Sequence, residues 1–154
     1  MPKINKCNLC GAEFPEDKQC KDLYYELAFY TLSKRDKEFI HQYAVDAYGA
    51  QHITKNSKEI TVGATLIGLF LLAEHNYSGR EIQQAHIKLG NKMRDLKIVN
   101  LPKEMAKYNV LNVLNIKEGK ERDAMIKQWA LSVWDIWKAE HSIIRNFVNH
   151  QNIL

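Results

Sequence analysis

The sequence has little of what a disulfide-bonded or membrane-spanning protein needs. Its 154 residues contain only three cysteines and three prolines. An odd number of cysteines leaves one thiol without a partner in any disulfide framework. The longest apolar stretch, residues 60–73, contains two glycines and is too short to span a bilayer, so we predict a buried helix there. These absences argue against a disulfide scaffold and against a membrane partner.

Common catalytic and nucleic-acid-binding patterns are missing as well. The sequence has no Ser-centred nucleophile elbow, no phosphate-binding glycine loop and no His-Glu-x-x-His helix. The net charge of +4 is mild. One modest basic cluster consists of Arg80, Lys88, Lys92, Arg94 and Lys97. Because a nucleic-acid surface usually has a denser basic stripe with interleaved aromatic residues, we expect no nucleic-acid partner.

The remaining composition is that of a globular protein, with 45% hydrophobic and 26% charged residues. The opening residues, MPKINKCNLCGAE, contain no apolar run, so we expect no secretory signal and a cytoplasmic location. Cytoplasmic thiols stay reduced, and clustered cysteines there more often bind metal. The length suits a single domain, residues 1–154, in which residues 1–20 form a metal-binding segment and residues 21–154 a helical bundle.

Hydrophobic spacing predicts an all-α fold, a bundle of roughly five helices with a short zinc-knuckle segment packed on it. Three predicted helices cover residues 20–34, 36–52 and 59–75, and Asp36 is the expected N-cap of the second. A fourth helix runs from a capping box toward Leu96, and the last from about residue 120 to 148. Residues 97–119 are predicted to form a loop with one short element.

All three cysteines lie in one stretch, CNLCGAEFPEDKQC, residues 7–20. The two residues between Cys7 and Cys10 let both sulfurs reach one ion, and Gly11 permits the positive φ that such a turn often needs. Cys20 stands at the start of a predicted helix, where the dipole favours the thiolate. We predict a zinc knuckle that uses these three cysteines. Three unrelated thiols, or a redox pair between Cys7 and Cys10, are the alternatives.

Tetrahedral zinc needs a fourth ligand, and geometry favours His52. If the first two helices form an antiparallel hairpin, a rise of about 1.5 Å per residue returns the chain to the level of Cys20 near His52. Asp22 is closer in sequence, but a carboxylate in the first helical turn is also explained by its favourable interaction with the helix dipole. His141 is the other alternative.

His41 and His141 are further candidate site residues. His41 shares a helix side with Tyr48 and His52 but lies about 16 Å of helical rise away from His52, so the two cannot bind one ion. His141 lies in an apolar stripe, one turn after Trp137. A core hydrogen bond is the default role of each histidine. The alternatives are a metal ligand or a separate acid–base or metal pair.

Together these residues resemble a bacterial family of unknown function whose members are short helical proteins. The opening motif of the family, Cys-x-x-Cys-Gly, falls here on Cys7, Cys10, Gly11, Cys20, Asp22 and Leu23. Its Tyr-x-x-Gln-His helix falls on His41, Tyr48, Gln51 and His52. Its Trp- and His-rich closing helix falls on Trp129, Val133, Trp134, Trp137 and His141. Ile53 departs from the pattern, since many relatives have a proline there. The resemblance implies that the cysteines and the three motif histidines belong to one design, and it implies no substrate.

Three functions are compatible with this sequence. The first is a binding or regulatory module with a structural zinc site of three cysteines and one histidine. The second is a zinc-dependent, hydrolase-type enzyme that uses His41, His52 or His141 and a metal-bound water. The third is a thiol sensor that releases zinc on oxidation. We adopt the first as the working hypothesis; the sequence identifies no partner, substrate or oligomeric state.

Overall fold

The computed structural model describes residues 3–154, and the protein is mostly helical, as predicted. Two short strands, β1 (Ile4–Lys6) and β2 (Glu13–Pro15), precede the helices. The helices are α1 (Cys20–Ser33), α2 (His41–Gln51), α3 (Glu59–His75), α4 (Gly79–Leu89), α5 (Val110–Leu114), α6 (Lys120–Ile136) and α7 (His141–Asn149). Two 3₁₀ segments, Gly90–Asp95 and Lys138–Glu140, follow α4 and α6.

Cys7 and Cys10 lie in the turn of a small β-hairpin, which the sequence analysis did not predict. β1 and β2 are antiparallel, with Asn5 opposite Phe14. Gly11 has a φ of 80°, in the left-handed region that glycine adopts at little cost. The backbone N–H of Gly11 donates to the carbonyl of Cys7, which closes the turn. This turn brings Cys7 and Cys10 to the same end of the hairpin.

The second helix begins later than predicted, at His41 instead of residue 36. Phe39 has a φ of 53°, which a regular helix cannot contain. The Asp36 carboxylate accepts a hydrogen bond from the backbone N–H of Ile40, so it closes the preceding turn and does not cap the helix. The same turn contacts the start of α4, because the carbonyl of Glu38 accepts a hydrogen bond from Arg80. Tertiary contact with α4 therefore replaces the first helical turn.

The apolar helix α3 has the predicted bounds and lies at the centre of the packing. It contacts α2, α4, α6, α7 and the first 3₁₀ segment. Its residues 65–72 are all buried. A Cβ on Gly63 would lie 1.8 Å from the carbonyl oxygen of Met93, so the missing side chain permits this close approach. In the part of the chain that the structure describes, no helix is long and apolar enough to cross a membrane.

The fourth predicted helix ends early, and residues 97–119 contain the expected short element. Gly90, at a φ of 52°, ends α4 at Leu89, and the chain continues to Asp95 as a 3₁₀ segment. Asn109 caps α5 by accepting hydrogen bonds from the N–H groups of Leu111 and Asn112.

The last predicted helix, residues 120–148, is interrupted, which corrects the sequence interpretation. α6 ends at Ile136, and α7 begins at His141. Between them, the Trp137 indole donates to the carbonyl of Ala50, and the buried Glu140 carboxylate accepts hydrogen bonds from two backbone N–H groups. The interruption turns both side chains inward. Apolar residues keep helical spacing across it, so periodicity did not reveal the break.

Candidate metal centre

Cys7, Cys10, Cys20 and His52 converge on one point. Their ligand atoms all lie within 4.8 Å of one another. The His52 Nε2 atom is 3.6 Å from Cys7 Sγ and 3.5 Å from Cys20 Sγ, and Cys10 Sγ is 3.6 Å from Cys20 Sγ. The prediction that an α1–α2 hairpin returns His52 to the level of Cys20 is confirmed.

These distances fit a tetrahedral ion. Zn–S bonds of about 2.3 Å and Zn–N bonds of about 2.05 Å place tetrahedral ligand atoms about 3.8 Å (S to S) and about 3.6 Å (S to N) apart. Three of the six separations between the ligand atoms, at 3.5 to 3.6 Å, agree with these edges to about 0.2 Å, and all six are within 4.8 Å. The four side chains therefore form a Cys₃His group compact enough to hold one metal ion.

Three separate elements supply the four side chains. Cys7 and Cys10 come from the hairpin turn, Cys20 is the first residue of α1, and His52 directly follows α2. Cys10 is buried, and the other three are half-buried. The Asn109 amide donates to the carbonyl of Cys10, which ties the hairpin turn to the start of α5.

Hydrogen bonds orient the imidazole of His52 toward the sulfurs. Its Nδ1 atom lies 2.7 Å from the carbonyl oxygen of Tyr48, which can accept a hydrogen bond but cannot donate one. This contact assigns the hydrogen to Nδ1 and leaves the Nε2 lone pair facing the cysteines, as in protein metal sites generally. The Tyr48 ring also stacks on the imidazole, with ring centroids 3.9 Å apart.

Two donors from the protein point at the sulfurs. The Tyr48 hydroxyl donates to Cys20 Sγ over 3.4 Å, and the backbone N–H of Ala12 donates to Cys10 Sγ over the same distance. Such bonds stabilise negative charge on sulfur. Burial, followed by the bond to Cys20, raises the pKa of the Tyr48 hydroxyl, so it remains a donor at neutral pH.

The cysteine cluster favours a thiolate even without an ion. A hydrogen bond from the Cys10 thiol lowers the pKa of Cys20 to about 4, and the bond from the Tyr48 hydroxyl acts in the same direction. The same bond, together with burial, raises the pKa of Cys10. One sulfur therefore holds the charge and its neighbour holds the proton. A thiolate is the form that binds metal.

Asp22, the alternative ligand closest in sequence, has a structural role instead. Its carboxylate accepts a hydrogen bond from the backbone N–H of Gln19 at 2.7 Å and completes a capping box at the start of α1. Within residues 3–154, no other group of three or more His, Cys, Asp and Glu side chains has its ligand atoms close enough for one ion.

The two further histidine candidates lie outside the cluster. His41 Nδ1 is 2.8 Å from the Thr31 hydroxyl, and burial lowers the pKa of this imidazole. His141 Nε2 donates to the carbonyl of Trp134, and its ring stacks on Trp134 with centroids 3.7 Å apart. Both make the core hydrogen bond that is the default for a histidine.

Sequence reasoning missed the residues that support the site. Tyr48 was noted for the helix side that it shares with His41 and His52 and for its place in the Tyr-x-x-Gln-His motif, but nothing in the sequence revealed its contacts with Cys20 and His52. Gln51 donates to the carbonyl of Tyr108 and accepts from the Trp129 indole, so it ties the end of α2 to α6. The only signal for Gln51 was its place in the Tyr-x-x-Gln-His motif.

Comparison with known proteins places the chain in a family. Residues 5–138 match the model of a family described as "Family of unknown function (DUF5946)". No curated protein and no solved structure matches the chain. The matched region contains the four side chains of the Cys₃His group and ends before His141. Because this region makes up most of the sequence, the protein belongs to the DUF5946 family.

Proposed function

We propose that the protein is a binding or regulatory module whose N-terminal hairpin is held in place by a structural zinc ion. The observation that carries this proposal is the Cys₃His group, in which all four ligand atoms lie within 4.8 Å of one another. The ion would join the hairpin turn, the start of α1 and the end of α2.

The donor set favours zinc over other metals. Thiolate ligands select soft or borderline ions, and calcium and magnesium require oxygen ligands. Three sulfurs and one imidazole in a tetrahedron are a common structural zinc set. The distances near 3.6 Å between the ligand atoms support the same assignment.

The same geometry favours a structural over a catalytic role. A catalytic zinc ion usually has three protein ligands and one position for water or substrate. Here four side chains are close enough together to act as ligands, and His41 and His141 make hydrogen bonds elsewhere. An ion bound by all four residues would have no position for water, so its binding energy would stabilise the fold.

The first prediction concerns metal content. Wild-type protein should contain about one zinc ion per chain, and Cys10→Ser and His52→Ala should lose most of it, because each removes one of four ligands. Elemental analysis of proteins purified without a chelator measures this directly. His41→Ala is the matched control, since it makes the same substitution in the same part of the chain and should retain the metal. Full zinc in His52→Ala, with loss in His141→Ala, would overturn the ligand assignment.

Cobalt substitution distinguishes the structural site from the catalytic and redox alternatives. Tetrahedral Co²⁺ with thiolate ligands absorbs visible light, and a closed site should give the same spectrum with and without azide. A spectral shift on adding azide would indicate an open position and support the hydrolase alternative. Retention of the metal in dilute hydrogen peroxide would argue against the thiol sensor.

A further inference from the structure

Helix α1 exposes a stripe of large apolar side chains. Tyr25, Phe29 and Leu32 are 56%, 77% and 54% exposed. The opposite side of the helix carries Leu23 and Leu27, which are buried in the core. α1 is therefore apolar on two faces, and only one of them is covered within the chain.

The stripe is large for a surface that only faces water. A fully buried aromatic side chain accounts for about 150 to 250 Å², so the exposed fractions correspond to roughly 300 to 400 Å² for the three side chains together. A patch of this size is comparable with the largest apolar patch on a typical monomer, and such patches are often functional. Two such stripes in contact would supply about half to two-thirds of the 1,200 Å² at which stable interfaces begin, and the polar residues beside them would add to it.

The stripe has the spacing of a helix-pairing seam. Its members are separated by four and then three residues, which is the alternation of d, a and d positions in a heptad. In that register Lys21 takes a g position and Glu26 an e position, on opposite sides of the seam. Both side chains are exposed, and neither has an ion-pair partner among the described residues.

We infer that α1 pairs in parallel with α1 of a second copy of this chain, about a twofold axis that runs along the helices. This symmetry brings the Lys21 side of each helix against the Glu26 side of the other, so two opposite-charge pairs form beside the apolar seam. An antiparallel pair would bring each side against its own copy and would leave both charges without an opposite. The Lys21 and Glu26 pairs therefore favour the parallel arrangement, in which the two Asp22 side chains, at a positions, also face each other while each carboxylate accepts the N–H of Gln19.

Parallel pairing has a consequence for the Cys₃His group. Cys20 is the first residue of α1, so the Cys₃His groups of the two copies would lie at the same end of the dimer. The dimer would present two hairpin turns side by side.

Sedimentation velocity tests the dimer. Wild-type protein should shift from 17.9 kDa toward twice that mass as its concentration rises from about 5 to 500 µM. Phe29→Lys should remain monomeric, because it places two like charges in the centre of the seam. Ile87→Lys is the matched control, since Ile87 is 76% exposed on α4 and should leave the dimer intact. Circular dichroism of each variant verifies folding.

Two results of this experiment would overturn the inference. The first is a wild-type monomer at every concentration, and the second is a dimer that Phe29→Lys leaves unchanged. Sedimentation of wild-type monomer with anionic phosphatidylserine vesicles, lost in Phe29→Lys, would assign the stripe to a lipid surface instead.

Charge reversal tests the parallel orientation. Lys21→Glu and Glu26→Lys should each weaken self-association several-fold, because each replaces two attractive pairs with two repulsive ones. An equimolar mixture of the two variants should restore dimerisation, since the mixed dimer recovers both attractive pairs. In an antiparallel dimer each variant would face like charges just as the wild type does, so neither single change would weaken self-association and the mixture would associate more tightly than the wild type. That result would overturn the orientation.

Discussion

At the scale of single residues, Asp46 stands out from the rest of the core. It is 1% exposed, and its Oδ1 atom accepts a hydrogen bond from the Gln42 amide. Its Oδ2 atom has no hydrogen-bond partner among the described residues. Burial raises the pKa of this carboxyl well above its ordinary value. Gly68 makes the space for it, because a Cβ there would lie 1.9 Å from Oδ2.

Asp46→Asn should therefore stabilise the protein at neutral pH. The folded state holds a proton on Asp46 that the unfolded state releases above about pH 4, so wild-type stability falls as pH rises from there toward the raised folded pKa. The side-chain amide of Asp46→Asn does not titrate, so the variant lacks this loss of stability. We expect a gain of about 1 to 3 kcal/mol at pH 7 that shrinks toward pH 4, measured by urea denaturation.

The control for this experiment is Asp135→Asn on α6, an exposed aspartate whose replacement should change the free energy of unfolding by less than about 0.5 kcal/mol. A stability difference between wild type and Asp46→Asn that does not vary with pH would show that the folded carboxyl is not protonated.

His52 could be predicted from the sequence although the helix before it begins five residues late. The rise per residue and the antiparallel return of the chain determine its level, and the missing first turn lies at the far end of the hairpin. The acceptor for its second ring nitrogen could not be predicted, because the sequence does not distinguish a side-chain acceptor from a backbone carbonyl. The choice depends on the imidazole rotamer, which packing against Tyr48 determines.

At the scale of elements, the break between α6 and α7 holds a long connection in place. Glu140 Oε2 accepts from the N–H of Val99 at 3.0 Å, and Oε1 accepts from the N–H of Asn100 at 2.9 Å. The carboxylate is 2% exposed, so few water molecules could replace these bonds. The segment after the first 3₁₀ element is thereby anchored to the last part of the bundle.

Glu140→Gln should loosen this connection. The amide keeps one acceptor oxygen but places an NH₂ group opposite the second N–H, where neither can accept. Hydrogen bonds to a charged group contribute about 1.5 to 3 kcal/mol, so we expect a loss of roughly that size and faster amide exchange at residues 98–101. Hydrogen exchange with mass spectrometry measures the second effect.

Glu121→Gln, at an exposed site in the first turn of α6, serves as the comparison. It should leave exchange at residues 98–101 unchanged. If exchange there were equally slow in Glu140→Gln and wild type, the anchoring role of Glu140 would be wrong.

Elements were predictable where local signals agreed with the tertiary structure. α3 has the predicted bounds because its apolar run is buried in the core of the packing. The start of α4 was predictable from the Ser78 capping box, because the hydrogen bonds of a capping box lie within one helical turn. The turn at Phe39 and the break at Trp137 escaped prediction because contacts with distant residues produce them. The local sequence pattern does not indicate those contacts.

At the scale of the whole molecule, the candidate metal centre is joined to the core. The Trp129 indole donates to Gln51, and the Trp137 indole donates to the carbonyl of Ala50, in the two residues directly before His52. Loss of an ion at His52 would therefore act on a segment that α6 already holds. The hairpin, in contrast, would lose the ion that links it to α2.

Metal removal should lower the melting temperature while most helical signal remains. Structural zinc contributes several kcal/mol, and 1 kcal/mol shifts the midpoint by roughly 2 to 4 °C at this size, so we expect a fall of about 10 to 20 °C. Circular dichroism with and without a chelator gives both quantities. Limited proteolysis should show cleavage before Cys20, where the hairpin is released.

Cys10→Ser provides the reference, because a protein that no longer binds the ion should not respond to the chelator. An unchanged wild-type midpoint after complete zinc removal would contradict the structural role. Complete loss of helical signal would show that the helices, as well as the hairpin, depend on the ion.

The positions of the four ligands also bear on the order in which the chain folds. All of them precede residue 53, and about 100 residues follow. At a synthesis rate of roughly 5 to 20 residues per second, those residues take about 5 to 20 s to appear. An ion bound as proposed would close the α1–α2 hairpin on the nascent chain early in that interval, before α6 is made. Trp129 of α6 and Trp137 directly after it would then dock on an end of α2 that already has its folded position.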